Sequence, residues 1–249
     1  MSTTPAHPYF PATLALAGRT YVANSWHLFT LIAVFAAGGA ALVAATWAGA
    51  RRLNPRLGPG DLGLVVWFVL CGSIHLFFEG YFVYNHHRMP QMTDFFGQLW
   101  KEYALSDSRY MASDPFVLCI ESWTAVFWGP LSFLVALLIV LASPYRHPVQ
   151  ALVSTGQFYG DVLYYTTSLF DDLCNGVRHY RPEPYYFWVY FVLMNGAWIV
   201  LPLCRWRSAG RAGGGMADRL AIGCLWSSIK ATASAFKVQQ TLTESQKSA

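Results

Sequence analysis

Apolar residues dominate this chain in five long stretches separated by short polar intervals. From residue 20 to residue 50 there is no Asp, Glu, Lys or Arg, and about 20 apolar residues suffice for a helix to cross a bilayer. The pattern predicts a first spanning helix over 26–48. It is too long, and lacks the basic lead-in, for a cleavable signal peptide. A second span is predicted over 62–84, interrupted by His75 and Glu79. A third covers 115–143, with Glu121 near its start and Gly129-Pro130 expected to kink it. A fifth over 184–203 is free of charge.

The segment 148–170 is more polar, because it carries Gln150, Ser154, Gln157 and Asp161. Those residues recur at helical spacing, so they share one face and leave the rest apolar. We read it as a fourth span whose wet face meets protein rather than lipid. The other spans repeat the device. His75 and Glu79 are four apart on the second; Glu121, Thr124, Trp128 and Ser132 follow one side of the third. Trp188, Phe191, Asn195, Trp198 and Pro202 follow one side of the fifth. The first helix instead carries Ala33, Ala37, Ala41, Ala45 and Gly49, a small-residue stripe suited to close helix packing within the bundle or, as the sharper reading, to a homodimer interface. Four wet faces are hidden from lipid when they surround a shared space. The predicted fold is therefore all-α: a polytopic membrane protein with a five-transmembrane-helix bundle around an intramembrane ligand cavity.

Composition narrows this further. Hydrophobic residues make up 55% and charged residues 12% of the 249, a balance that excludes disorder and an ordinary water-soluble globule. The net charge of +4 is spread thinly, with no basic run longer than Arg51-Arg52, so no nucleic-acid partner is expected. Placing Arg51, Arg52, Arg56, Arg146 and the tail in the cytosol collects most of the 17 basic residues, which puts the C-terminal tail on the cytosolic side. The expected organisation is an N-terminal segment over 1–25, a five-helix domain over 26–206 and a polar tail over 207–249, with a short surface helix over 218–229. The five cysteines, Cys71, Cys119, Cys174, Cys204 and Cys224, show no CxxC spacing and suggest neither a disulfide framework nor a zinc site.

An intramembrane carboxylate costs about 2.5–3.5 kcal/mol on insertion scales, so Glu79 and Glu121 are the first candidates for chemistry. His75, one turn from Glu79, is a proton partner. Asp161 divides evenly between chemistry and a structural role, with Tyr164, Tyr165 or Gln157 able to satisfy it. Asn195 and Thr124 could equally be interhelical glue, and Trp198 and Trp128 equally core. Two acids, an imidazole and aromatic faces in a dry space suit acid-initiated chemistry on an apolar substrate through a carbocation; a proton-coupled transporter would use similar groups, but no repeat is visible.

The blocks CGSIHLFFEGYFVY (71–84), QLWKEYALSDSRY (98–110), VLCIESWTAVFWGPLS (117–132), GQFYGDVLY (156–164) and PYYFWVYFVLMNGAWIVLPL (184–203) closely resemble the emopamil-binding protein family of sterol Δ8–Δ7 isomerases. The resemblance runs from about residue 27 to residue 203. It implies a cofactor-free, metal-free isomerase of sterol biosynthesis in the endoplasmic reticulum membrane, which protonates C9, forms a cation at C8 and removes a proton from C7. It also implies binding of lipophilic amines, whose ammonium mimics the cation. The family's pocket residues fall on His75, Glu79, Glu121, Thr124, Asn195 and Trp198, with Tyr110 and Trp100 in the second block. On this basis His75 with Glu79 delivers the proton, Glu121 stabilises the cation or accepts the C7 proton, Trp198 covers the cation, and Asn195 and Thr124 orient the acids. The same domain occurs in the sigma-2 receptor, so a non-catalytic sterol- and amine-binding protein is the alternative. The chain departs from the family pattern in its 208–217 segment, in the loop 171–181 and in the ending SQKSA, where a lysine-rich retrieval signal would stand.

Overall fold

A computed structural model describes residues 7–18 and 20–201. The tail assigned to 207–249, its 218–229 helix, Cys204, Cys224 and the last residues of the fifth span lie outside the described residues. Seven helices and their connections make up the rest, with no strand among the described residues. Helix α1 is Leu28–Leu53, α2 Pro59–Gln91, α3 Phe95–Tyr103, α4 Arg109–Ala112, α5 Pro115–Val140, α6 Arg146–Phe170 and α7 Tyr186–Leu201. Two of the helix starts are capped by aspartates. Asp94 accepts from the Gly97 N–H at the start of α3, and Asp114 accepts from Val117 N–H at 3.0 Å ahead of Pro115 on α5. Beyond α6 one further turn runs to Asn175 and is closed by Gly176 at φ 67, a left-handed position that glycine takes without a Cβ clash.

Three of these helices, α1, α2 and α5, are long and apolar enough to cross a membrane. The α7 helix is apolar but shorter, and α6 is long but carries its polar stripe. That stripe turns inward as its spacing predicts: Ser154 and Gln157 are buried and Asp161 half-buried, while Leu152 and Tyr159 face out. Large apolar side chains, among them Phe29, Phe77, Trp123, Val126, Leu137, Trp188 and Leu193, lie exposed around the molecule. A surface of that kind is stable against hydrocarbon and not against water.

Two apolar cores occupy opposite ends. One gathers Leu62, Val65 and Phe68 of α2 with Val135 and Ile139 of α5 and Val153 of α6. The other gathers Phe82 and Met89 of α2 with Trp100, Tyr110, Met111, Tyr164 and Phe191. His75 and Glu79 fall between them along α2. The first end also carries the basic turns. Asn54 donates to the Val140 carbonyl at 2.8 Å and Arg146 pairs with Asp61 at 3.1 Å, so Arg51, Arg52 and Arg56 share an end with Arg146, as the charge distribution requires.

Neither α2 nor α5 is regular throughout. Each widens into a π-helical turn, over Ile74–Glu79 and Thr124–Trp128. In α5 the wide turn precedes Pro130, which has no N–H to give to the preceding turn. Gly129 follows it, and a Cβ there would lie 3.1 Å from Leu76, so the missing side chain lets the two wide turns meet. Gly156 does the same for α6, since its Cβ would fall inside the Trp128 ring.

The residues ahead of α1 form a strap across the second core. Ala17 N–H donates to Met111 O, Val22 N–H to Pro90 O, and Ser108 Oγ to Phe10 O. The buried Gln98 amide oxygen accepts the N–H groups of Ser25 and Trp26, and the Lys101 ammonium donates to Val22 O at 2.6 Å. The block 98–110 thus holds down the N-terminal segment with Gln98 and Lys101, while its Asp107 and Arg109 form a buried bidentate pair beside Tyr110.

Candidate active site

The two π-helical turns bring the predicted acids together. His75 and Glu79 stand four residues apart on α2, and the His75 Nδ1 to Glu79 Oε2 distance is 2.7 Å. Across the gap, the Thr124 hydroxyl on α5 donates to the same Glu79 oxygen. Thr124 Oγ also lies 2.8 Å from the Glu121 carbonyl and 3.5 Å from Glu121 Oε2. On the far side the Tyr110 hydroxyl donates to Glu121 Oε1 at 2.5 Å. His75, Glu79, Thr124, Glu121 and Tyr110 therefore form one continuous polar chain, with His75 only 4% and Glu121 only 7% exposed.

Hydrogens limit what this chain can hold. Thr124 carries one hydroxyl proton, and when Glu79 receives it the Thr124 oxygen is left to accept.

The remaining predicted residues divide. The Trp198 ring centroid lies 6.1 Å from that of His75 and 5.9 Å from that of Trp67, which puts an aromatic wall beside the acids. Trp100 stacks on Phe78 at 4.5 Å, packs 4.8 Å from Tyr110 and donates its indole N–H to Phe78 O; it backs the site rather than entering the polar chain. Asn195 does not reach either glutamate. Its Oδ1 accepts from Tyr103 OH at 2.9 Å and its Nδ2 donates to Phe191 O at 2.7 Å. Trp128 is spent on the α5–α6 contact over Gly156, rotated off the line of Glu121 and Thr124 that a regular helix would have given it. The π turn shifts that register. Asp161 has an oxygen without a hydrogen-bond partner among the described residues.

One participant was not singled out by sequence. Gln157, 4% exposed, places its amide nitrogen 2.9 Å from His75 Nε2. Its place in the α6 polar stripe was the available signal, but nothing local said which helix it would meet. No cluster of three or more metal-ligating side chains exists among the described residues.

The family model EXPERA (EXPanded EBP superfamily) matches residues 95–207. The rat 3-beta-hydroxysteroid-Delta(8),Delta(7)-isomerase is 42% identical over 202 residues, covering 80% of this chain and 84% of the rat protein. The chain belongs to the EBP family. The guinea-pig protein of the same name is 39% identical, over 81% of this chain and 86% of its own length. Isomeliandiol synthase of Ailanthus altissima is 32% identical, over 79% and 87%. Members of the EBP family thus bear more than one activity name, and the sterol isomerases among these three share the higher identity with this chain.

Proposed function

We propose that this protein is a membrane-embedded 3β-hydroxysteroid Δ8–Δ7 isomerase acting in sterol biosynthesis. The observation that carries the reading is the polar chain His75–Glu79–Thr124–Glu121–Tyr110, buried between two apolar cores and flanked by Trp198. The five helices α1, α2, α5, α6 and α7 span the bilayer and enclose the sterol, with the C-terminal tail in the cytosol and the protein in the endoplasmic reticulum membrane.

The reaction needs one proton in and one proton out. The π electrons of C8=C9 take a proton at C9, leaving the positive charge on C8. The C7–H bond then yields its electrons to form C7=C8, and the C7 proton leaves. In this reading the His75–Glu79 pair delivers the first proton and Glu121 steadies the cation or collects the second. Tyr110 and Thr124 hold the carboxyls in place, and the Trp198 face stabilises the positive charge, as a π-system does for a cation. Trp100 shapes the pocket behind Tyr110. Asn195 acts by fixing Tyr103 and the α7 backbone, and Trp128 by fixing α5 against α6. Lipophilic amines bind in the same place, with the ammonium taking the position of the C8 cation beside the carboxyls. The small-residue stripe of α1, which buries little of its own surface in the monomer, serves a homodimer.

Incubating the purified protein with an 8-unsaturated 3β-hydroxysteroid in D2O tests this directly. The Δ7 product is expected with deuterium at C9. Absence of conversion, or product with no solvent hydrogen at C9, overturns the reading.

A further inference from the structure

Gln157 reaches the polar chain from α6, and it does so at the His75 ring nitrogen facing away from Glu79. The His75 ring is held at both ends: Nδ1 to Glu79 Oε2 at 2.7 Å and Nε2 to the Gln157 amide nitrogen at 2.9 Å. An amide nitrogen can only donate. The Nε2 atom must then present its lone pair, and the ring's single proton sits on Nδ1, donated to Glu79. In this orientation the ring is neutral. A second proton on Nε2 would face the N–H of the amide, two donors in contact.

The other end of the amide is not tied down. Gln157 Oε1 is buried with no nitrogen or oxygen partner among the described residues, and the same holds for Trp198 Nε1. The side chain beside both is the Cys71 thiol, which can weakly donate or weakly accept. A half-turn of the amide about its last bond would therefore exchange Oε1 for the nitrogen at His75, with Cys71 able to serve either arrangement. With Oε1 at Nε2, the ring can hold two protons, one for Glu79 and one for Gln157. Among the described residues the ring is faced by Glu79 from α2, Gln157 from α6 and Trp198 from α7, with Cys71 of α2 beside Gln157 and Trp198, and Thr124 and Glu121 of α5 one step further along.

We propose that Gln157 is a positioning residue that sets the protonation state of His75 through the orientation of its amide. With nitrogen toward the ring it keeps His75 neutral with the proton on Nδ1. With oxygen toward the ring it accommodates the imidazolium. The inference rests on the isomerase reading for its purpose. A reaction that takes one proton from the protein and returns one needs a carrier that can exist with and without it, and an amide that offers N–H in one orientation and C=O in the other allows both without moving the backbone.

The test uses the full-length protein, solubilised in detergent with 15N-labelled histidine. Replacing His75 with Asn identifies the His75 signals by their loss. In the parent protein His75 is expected to show a protonated Nδ1 and a bare, hydrogen-bonded Nε2. Gln157→Glu, equal in size, puts a carboxylate at Nε2 and is expected to give the doubly protonated ring. Gln157→Leu removes the donor, so the Nε2 signal should move to that of an unbonded nitrogen, and kcat should fall about tenfold, the loss of one buried hydrogen bond. KM for the sterol should stay within about twofold, since Gln157 meets His75 and not the substrate. A parent spectrum with Nε2 protonated, or a Leu variant with parental spectrum and kcat, overturns the proposal. If the Leu variant does not fold, the spectrum of the Glu variant decides alone. Should the parent protein convert no sterol, the isomerase reading falls while the spectra still decide for or against Gln157.

Discussion

Glu79→Gln is the substitution with the most to say about this site. The carboxyl oxygen Oε2 receives two donors, His75 Nδ1 at 2.7 Å and the Thr124 hydroxyl. Glutamine has the same length, and its amide oxygen can accept both, so the helix contacts around it survive. What is lost is the negative charge and the capacity to take or give a proton. General acid–base catalysis by a positioned group supplies about 10²–10⁴ in rate, or about 2.7–5.4 kcal/mol of barrier. Thr124→Val removes the bridge without touching either charge and costs a hydrogen bond to a charged acceptor, about 1.5–3 kcal/mol. The expected order of kcat/KM is therefore parent, then Thr124→Val, then Glu79→Gln lowest. The assay is conversion of an 8-unsaturated 3β-hydroxysteroid by purified protein, separated by chromatography, with thermal unfolding to show that each variant is folded. If Glu79→Gln keeps activity within about threefold of the parent, or loses less than Thr124→Val, the pair His75–Glu79 is not the proton-delivering group.

Four further outcomes follow from the same geometry. Tyr110→Phe removes the 2.5 Å donor to Glu121 and should lower turnover about 10- to 100-fold while leaving the fold intact, since the ring keeps its place against Trp100 and Phe82; parental turnover would refute a role for that hydroxyl. Asp107→Asn leaves Arg109 buried without its counter-ion and should cost about 3–5 kcal/mol, read as a large drop in unfolding temperature. Gly156→Ala drives a methyl into the Trp128 ring and should destabilise by about 1–3 kcal/mol, again by thermal unfolding. Burial pushes the Lys101 ammonium down to about 8, with the Asp94 carboxylate opposing. The unfolded chain then holds more protons than the folded one between about pH 8 and 10.5, so the protein should gain stability over that window relative to Lys101→Met; a pH-independent difference between the two would refute it.

How much of this was readable beforehand depends on whether a feature is local. The periodic placement of Gln150, Ser154, Gln157 and Asp161 made the inward face of α6 legible, because a helix repeats every 3.6 residues whatever surrounds it. The cost of a carboxyl among apolar residues marked Glu79 and Glu121 in the same way. Both marks depend on composition and spacing alone. The structure departed from regular spacing where the π-helical turns intervene. A straight α5 would have lined Trp128 up with Glu121 and Thr124, whereas the wide turn over Thr124–Trp128 turns it toward Gly156.

Read alone, the amino-acid sequence makes the chain helical, makes long stretches of it stable only against hydrocarbon, and sets acids and a histidine on those stretches. Which side chains meet was set by the packing of the helices. It gave Asn195 to Tyr103 instead of the glutamates, brought Gln157 to His75, and laid residues 22–26 across Gln98 and Lys101. The reason is physical. Burial preference and helical period are set within a few residues of chain, but the rotation of one helix against another is fixed by glycine-sized gaps and wide turns far apart in sequence, and a hydrogen bond across helices exists at one rotation and is lost a few ångströms away.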